Sequence, residues 1–103
     1  MNLSLEGKTA VVCGSSQGIG LAIARELALL GANCILMARK EEALKTAVYN
    51  LDIALRQQHN YVVADFSKTD IVKKAIEDLV KKTPVHILIN NTGGPAAGPL
   101  TDA

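Results

Sequence analysis

Apolar positions along this chain follow two rhythms. Residues 9–13, 34–38 and 85–89 form near-continuous apolar runs of strand length. Runs without a polar face predict strands buried on both sides of a sheet. Residues 61–64 are a fourth, shorter candidate. Between the runs the spacing turns helical. Ile19, Ile23, Leu27 and Leu30 recur at intervals of four, four and three. Leu44, Val48, Leu51 and Leu55 make a second stripe, and Val72, Ile76 and Leu79 a third.

The punctuation agrees with this order. Gly31 follows the first helical pattern as a C-terminal cap. Glu41 and Glu42 open the second, where a helix dipole favours acids. Ser67 is placed to cap the third, with Asp70 three residues on as a capping box, and Pro84 stops it. The order β-α-β-α-β-α-β, with connections this long, predicts a parallel α/β sheet joined by right-handed crossovers. From Thr92, the stretch Thr92-Gly93-Gly94-Pro95-Ala96-Ala97-Gly98-Pro99 is a loop by composition.

At 103 residues the chain is expected to be a single domain, and an apolar fraction of 49% is enough for a core. The net charge is +1. Its basic residues are scattered, and the pairs Lys73-Lys74 and Lys81-Lys82 fall on one predicted helix. They read as a solvated face, so no nucleic-acid partner is expected. No apolar run is long enough to span a bilayer, so no membrane role is expected. Met1-Asn2-Leu3-Ser4-Leu5-Glu6 has neither a basic start nor an apolar stretch of the secretory kind. Cys13 and Cys34 lie in predicted buried strands, which fits reduced core residues in a cytoplasmic protein. No His/Cys group has metal-ligand spacing, and His59 and His86 are isolated, so no metal site is expected.

The chemistry concentrates in Cys13-Gly14-Ser15-Ser16-Gln17-Gly18-Ile19-Gly20, between the first strand and the first helix. Three glycines at such a turn let backbone N–H groups face an anion, and the helix adds its positive end. The spacing is G-x-x-x-G-x-G rather than the common G-x-G-x-x-G. A dinucleotide site wants an acid about twenty residues later to hold a ribose 2′-hydroxyl. Here Ala38 and Arg39 stand at that place. A guanidinium would pair with a 2′-phosphate, which favours NADP (NADPH) over NAD.

These residues resemble the N-terminal, cofactor-binding part of a short-chain dehydrogenase/reductase. Gly14-x-x-x-Gly18-Ile19-Gly20 resembles that family's T-G-x-x-x-G-I-G turn, and Asn90-Asn91-Thr92-Gly93 its N-N-A-G motif. Asp65 ends the third strand, and Gly7-Lys8-Thr9-Ala10-Val11-Val12 resembles the family's lead-in. The Asn90-Asn91-Thr92-Gly93-Gly94-Pro95 variant is similar to that of 3-oxoacyl-acyl-carrier-protein reductase relatives. The resemblance implies a Rossmann-type doubly wound parallel sheet, here partial, with strand order 3-2-1-4.

It also implies roles for particular residues. Gly14, Ser15, Ser16, Gly18, Ile19 and Gly20 would cradle the pyrophosphate and adenosine side. Arg39 would read the 2′-phosphate. Asp65 would accept from the adenine amino group with Phe66 beside the ring. Asn90 and Gly93 would line the ribose and nicotinamide side. Four residues depart from the pattern: Cys13 for Thr, Gln17 where many NADP-preferring members carry Arg, Thr92 for Ala, and His86 for a frequent Asp.

Family members transfer hydride between nicotinamide and a small carbonyl or alcohol substrate, using a Tyr with a Lys four residues on. Tyr49 is followed at that spacing by Ile53, and Tyr61 by Asp65. No catalytic residue is therefore assigned. Residues 1–103 are expected to be the cofactor half of an NADP(H)-dependent oxidoreductase, ending before the catalytic segment and inactive alone. Homo-oligomers are expected of the full-length family and cannot be read from these residues. The alternative is a non-catalytic dinucleotide-binding module, or a fragment that pairs with another chain. A methyl-donor-binding fold is disfavoured by the glycine spacing and by Arg39.

Overall fold

The computed structural model of the chain describes residues 4–14 and 18–91. In chain order the elements are β1 (Thr9–Cys13), α1 (Gly18–Leu29), β2 (Asn33–Ala38), α2 (Glu41–Tyr49), β3 (Asn60–Val63), α3 (Thr69–Lys82) and β4 (Ile87–Asn90). The four strands form one sheet in the order β3-β2-β1-β4, and every neighbouring pair is parallel. The parallel pairing is what the alternating pattern predicts, and the order is the Rossmann-type 3-2-1-4 that the family resemblance implies.

Strand side chains alternate between two layers. Ala10 and Val12 of β1, with Cys34, Leu36 and Ala38 of β2, face α1 and α2. Val11 and Cys13, with Ile35 and Met37, face Val72, Ala75, Ile76 and Leu79 of α3. Because β1 and β2 are central and covered on both faces, they are buried along nearly their whole length. The third long run differs. β4 is only half-buried, and it begins at Ile87 rather than Val85. His86 explains the later start: its amide donates to the Thr9 carbonyl at 2.9 Å, while its ring Nδ1 accepts from the Thr9 amide at 3.1 Å. A side chain thus takes the donor that a strand carbonyl would have used. β3 begins one residue earlier than the apolar run, at Asn60, and Ala64 continues its ladder with an amide bond to the Ala38 carbonyl at 2.9 Å.

The first helix packs through a face shifted from its predicted stripe: Leu27 packs on the core and Ile23 and Leu30 are half-buried, but the fully buried positions are small residues. Gly20, Ala24 and Ala28 are its buried positions, at intervals of four, whereas Ile19 is 70% exposed. Small side chains let the helix lie close over the sheet. Gly31 then ends it as expected, with φ +105°. Its amide reaches the Ala28 carbonyl at 2.9 Å and the Ala32 amide reaches Leu27 at 3.0 Å, the paired bonds of a Schellman ending.

Two helix boundaries correct the sequence reading. α2 stops at Tyr49 instead of running on to Leu55. The Asn50 side chain folds back onto the Thr46 carbonyl at 2.9 Å, Asp52 takes the Ala54 amide at 3.0 Å, and Arg56 sits at φ +62°. These local bonds outcompete the helical ladder. Leu51 stays buried all the same, tucked against the α1–α2 layer. At α3 the cap position falls to Lys68, with no side-chain cap bond, because Ser67 is bound to Asp65.

Candidate functional site

Parallel strands bring all their carboxyl ends to one edge, and the strand order reverses between β1 and β4. In sheets of this kind, ligands bind outside the carboxyl ends at such a reversal. The register fixes what meets there. Cys13 is paired with Met37 on one side and Asn90 on the other, and Met37 with Val62. The chain therefore emerges at one edge as Gly14, Arg39, Asp65 and Asn91.

Gly14 turns the chain out of β1 at φ +75°, and its amide still donates to the Met37 carbonyl at 2.7 Å. Gly18 opens α1 at φ +65°, with nothing within 4 Å of the place a Cβ would occupy. Ile19 stands exposed beside it, and Gly20 is buried. The first turn of α1 carries no acid, so no carboxylate of its own opposes its positive end. Ser15, Ser16 and Gly93, named above for the same cradle, lie outside the described residues.

Arg39 is exposed at the end of β2. The bond between Ala64 and Ala38 places the exit of β3 beside it. Asp65 there accepts both the Ser67 hydroxyl, at 2.7 Å, and the Ser67 amide, at 3.0 Å, on Oδ1. These bonds, with smaller help from the charges of Arg39 and Lys68, hold the Asp65 carboxyl below its ordinary range. Phe66, half-buried, packs on the α3 layer of the core. On the other flank the Asn91 amide bonds the Cys13 carbonyl at 3.0 Å. The Asn90 side-chain oxygen is buried, without a hydrogen-bond partner among the described residues. Such an orphaned acceptor is uncommon. It sits in the register position beside Cys13, immediately before Gly14.

Among the described residues the edge thus offers a helix end with no acid in its first turn, a guanidinium, a carboxylate held ionised, and an amide oxygen without a partner. Pyrophosphate, phosphate and amino groups are the natural complements of these four. The sequence reading used Ser67 as a helix cap and missed its hold on Asp65. The visible signal is the Asp-x-Ser spacing, which favours a local turn over a cap.

The model of the short chain dehydrogenase family matches residues 8–103. The chain belongs to that family. Inactive hydroxysteroid dehydrogenase-like protein 1 from Homo sapiens is 39% identical to this chain over 87 residues, covering 84% of the chain and 26% of the relative. L-Sorbose reductase from Gluconobacter frateurii, solved with NADPH and L-sorbose, superposes with a TM-score of 0.79. It shares 35% identity over 91% of this chain and 36% of that one. A 3-oxoacyl (acyl-carrier-protein) reductase from Agrobacterium tumefaciens C58, solved with NADP bound, gives a TM-score of 0.77 at 36% identity, covering 87% and 34%. The chain spans about a quarter of the length of such hydroxysteroid dehydrogenase-like relatives.

Other titratable groups of the chain are tied to structure. Burial pushes the thiols of Cys13 and Cys34 up from 9.0 to about 11, so both stay protonated and unreactive. Both ring nitrogens of His59 are occupied, by the Cys34 amide at 3.0 Å and the Asp52 carbonyl at 2.7 Å. Tyr61 donates to Glu41 at 2.9 Å, which raises its phenol. Among the described residues no His/Cys/Asp/Glu cluster is arranged for a metal ion, and no helix is long and apolar enough to cross a membrane.

Proposed function

We propose that this chain is the cofactor-binding part of an NADP(H)-dependent oxidoreductase that moves hydride between nicotinamide and a small carbonyl or alcohol. In this reading Gly14, Ser15, Ser16, Gly18, Ile19 and Gly20 hold the pyrophosphate and the adenosine side. Asp65 receives the adenine amino group, and Phe66 flanks the ring. Asn90 and Gly93 line the nicotinamide side. The observation that carries the choice of NADP is the guanidinium of Arg39, exposed where β2 ends and close enough to help hold Asp65 ionised. A carboxylate there would repel a 2′-phosphate, while a guanidinium pairs with it. The NADPH and NADP found with the sorbose reductase and the 3-oxoacyl reductase support the same choice.

The test is a pair of titrations with NADPH and NADH. The chain binds NADPH more tightly, and Arg39→Ala weakens NADPH alone. Loss of one charged hydrogen-bond partner is worth about 1.5–3 kcal/mol, or roughly 10- to 150-fold. Equal affinity for the two nucleotides in the unaltered chain overturns the reading.

The chain holds no Tyr with a Lys four residues on, so it is expected to bind dinucleotide without turning it over. Oxidation of NADPH by the purified chain with a carbonyl substrate would refute this. A second reading, a binding module without chemistry, gains weight from the human relative, which is itself described as inactive. The two separate when the chain is examined together with whatever polypeptide supplies a Tyr-x-x-x-Lys segment. Only the first predicts turnover then.

A further inference from the structure

Two carboxylates follow Arg39 closely in the chain: Glu41 and Glu42 open α2. A carboxylate so near can pair with an exposed guanidinium and exclude a phosphate from it. Neither does. Among the described residues no carboxylate lies within ion-pair distance of Arg39. Both acids are held elsewhere. Glu42 Oε2 lies 3.9 Å from Nζ of Lys45, one turn further along α2. Glu41 Oε2 accepts the Tyr61 hydroxyl at 2.9 Å.

The two contacts differ in kind. The Glu42–Lys45 pair joins two exposed, mobile side chains and is weak. Tyr61 is anchored. Its strand register pairs it with Leu36, and its half-buried ring packs on the core layer that α1 and α2 cover. Such a ring buries its apolar body and presents its hydroxyl at the rim. The hydroxyl therefore reaches the first turn of α2 from a place set by β3, and Glu41 is the residue it meets there.

We infer that Tyr61 is a positioning residue for cofactor choice: by holding the Glu41 carboxylate it keeps the Arg39 guanidinium open to the 2′-phosphate of NADP(H). This rests on the NADP reading and deepens it. Without the hydroxyl, Glu41 is free to turn to Arg39, and an anion tethered to the same chain then competes with the phosphate for one cation. NADH carries no 2′-phosphate, so its affinity does not register the change.

The test compares the unaltered chain, Tyr61→Phe, and Tyr61→Phe combined with Glu41→Gln, at low ionic strength, where exposed charges act most strongly. Phenylalanine keeps the packed ring and removes the hydroxyl. NADPH affinity falls about two- to fivefold in Tyr61→Phe, the range of an exposed charge pair, and NADH affinity stays constant. Adding Glu41→Gln restores NADPH affinity, which a merely structural role of the hydroxyl does not predict. In two-dimensional NMR of the nucleotide-free chain, the Arg39 Nε–H signal moves in Tyr61→Phe and returns in the double variant. Equal affinity of the unaltered chain for NADPH and NADH overturns the NADP reading and this inference with it. Where the unaltered chain prefers NADPH, this inference alone is overturned by any of four results: Tyr61→Phe keeps the affinity ratio, both affinities fall together, Glu41→Gln restores nothing, or the Arg39 signal stays in place.

Discussion

The amide of Gly14 donates to the carbonyl of Met37 at 2.7 Å. One bond thus ties the glycine turn after β1 to the end of β2, two residues short of Arg39. The turn and the backbone that carries Arg39 are thereby held together by the sheet. Gly14→Ala tests this coupling. Alanine at φ +75° costs about 1–2 kcal/mol. The denaturant midpoint is expected to fall by that equivalent, and dinucleotide affinity to fall further than stability alone accounts for.

Ser67 governs the charge on Asp65. Removing the hydroxyl in Ser67→Ala deletes the 2.7 Å bond and leaves the backbone one. The Asp65 carboxyl then titrates closer to the ordinary carboxylate range. Its folded value now lies below the unfolded one, so its stabilisation is present above the unfolded value and lost as pH falls through the folded value. In the variant this acid-side loss is smaller. Carbon-detected NMR titration of the Asp65 carboxyl reads the change directly, and an unmoved midpoint would show that the hydroxyl bond is without effect.

Gly31 supports the fold and has no part in the site. A Cβ there would come within 3.0 Å of the Glu6 amide nitrogen and of the Leu55 side chain, at φ +105°. Gly31→Ala is expected to cost about 2 kcal/mol or more. Thermal unfolding shows the loss, while the ratio of NADPH to NADH affinity in the folded fraction stays constant.

The two thiols set an alkaline limit. Their folded values, about 11, exceed the ordinary 9.0. Groups raised in this way stabilise fully below the unfolded value and cease to do so as pH rises through the folded one. Stability should therefore decline between pH 9 and pH 11. The Cys34 thiol also donates to the Ala24 carbonyl at 3.6 Å, which favours the same protonated form. Urea midpoints at about pH 8 and about pH 11 measure the decline, and Cys34→Ala reduces its slope.

The glycine turn, Arg39, Asp65 and the paired asparagines were legible because each depends on residue type and chain order. β1 was legible end to end, because a central strand covered on both faces must be apolar at every position. The buried face of α1 was not. Spacing alone favoured Ile19, but close helix–sheet approach selected Gly20, Ala24 and Ala28. Nor was the end of α2, where Asn50 and Asp52 drew their bonds from backbone groups the helix would have used. The Ser67–Asp65 bond and the late start of β4 at His86 belong with these. Each turns on which of two partners wins a given donor or acceptor.

By itself the sequence determined the α/β alternation, which follows from periodicity, and it carried the motifs whose resemblance pointed to the family and named the residues proposed for a cofactor. Only the tertiary structure decided that Arg39 stands beside Asp65 and that the Asn90 oxygen is buried without a partner among the described residues. Those juxtapositions arise from strand register. Parallel pairing brings residues distant in the chain to a common edge, and no local signal encodes which of them will meet.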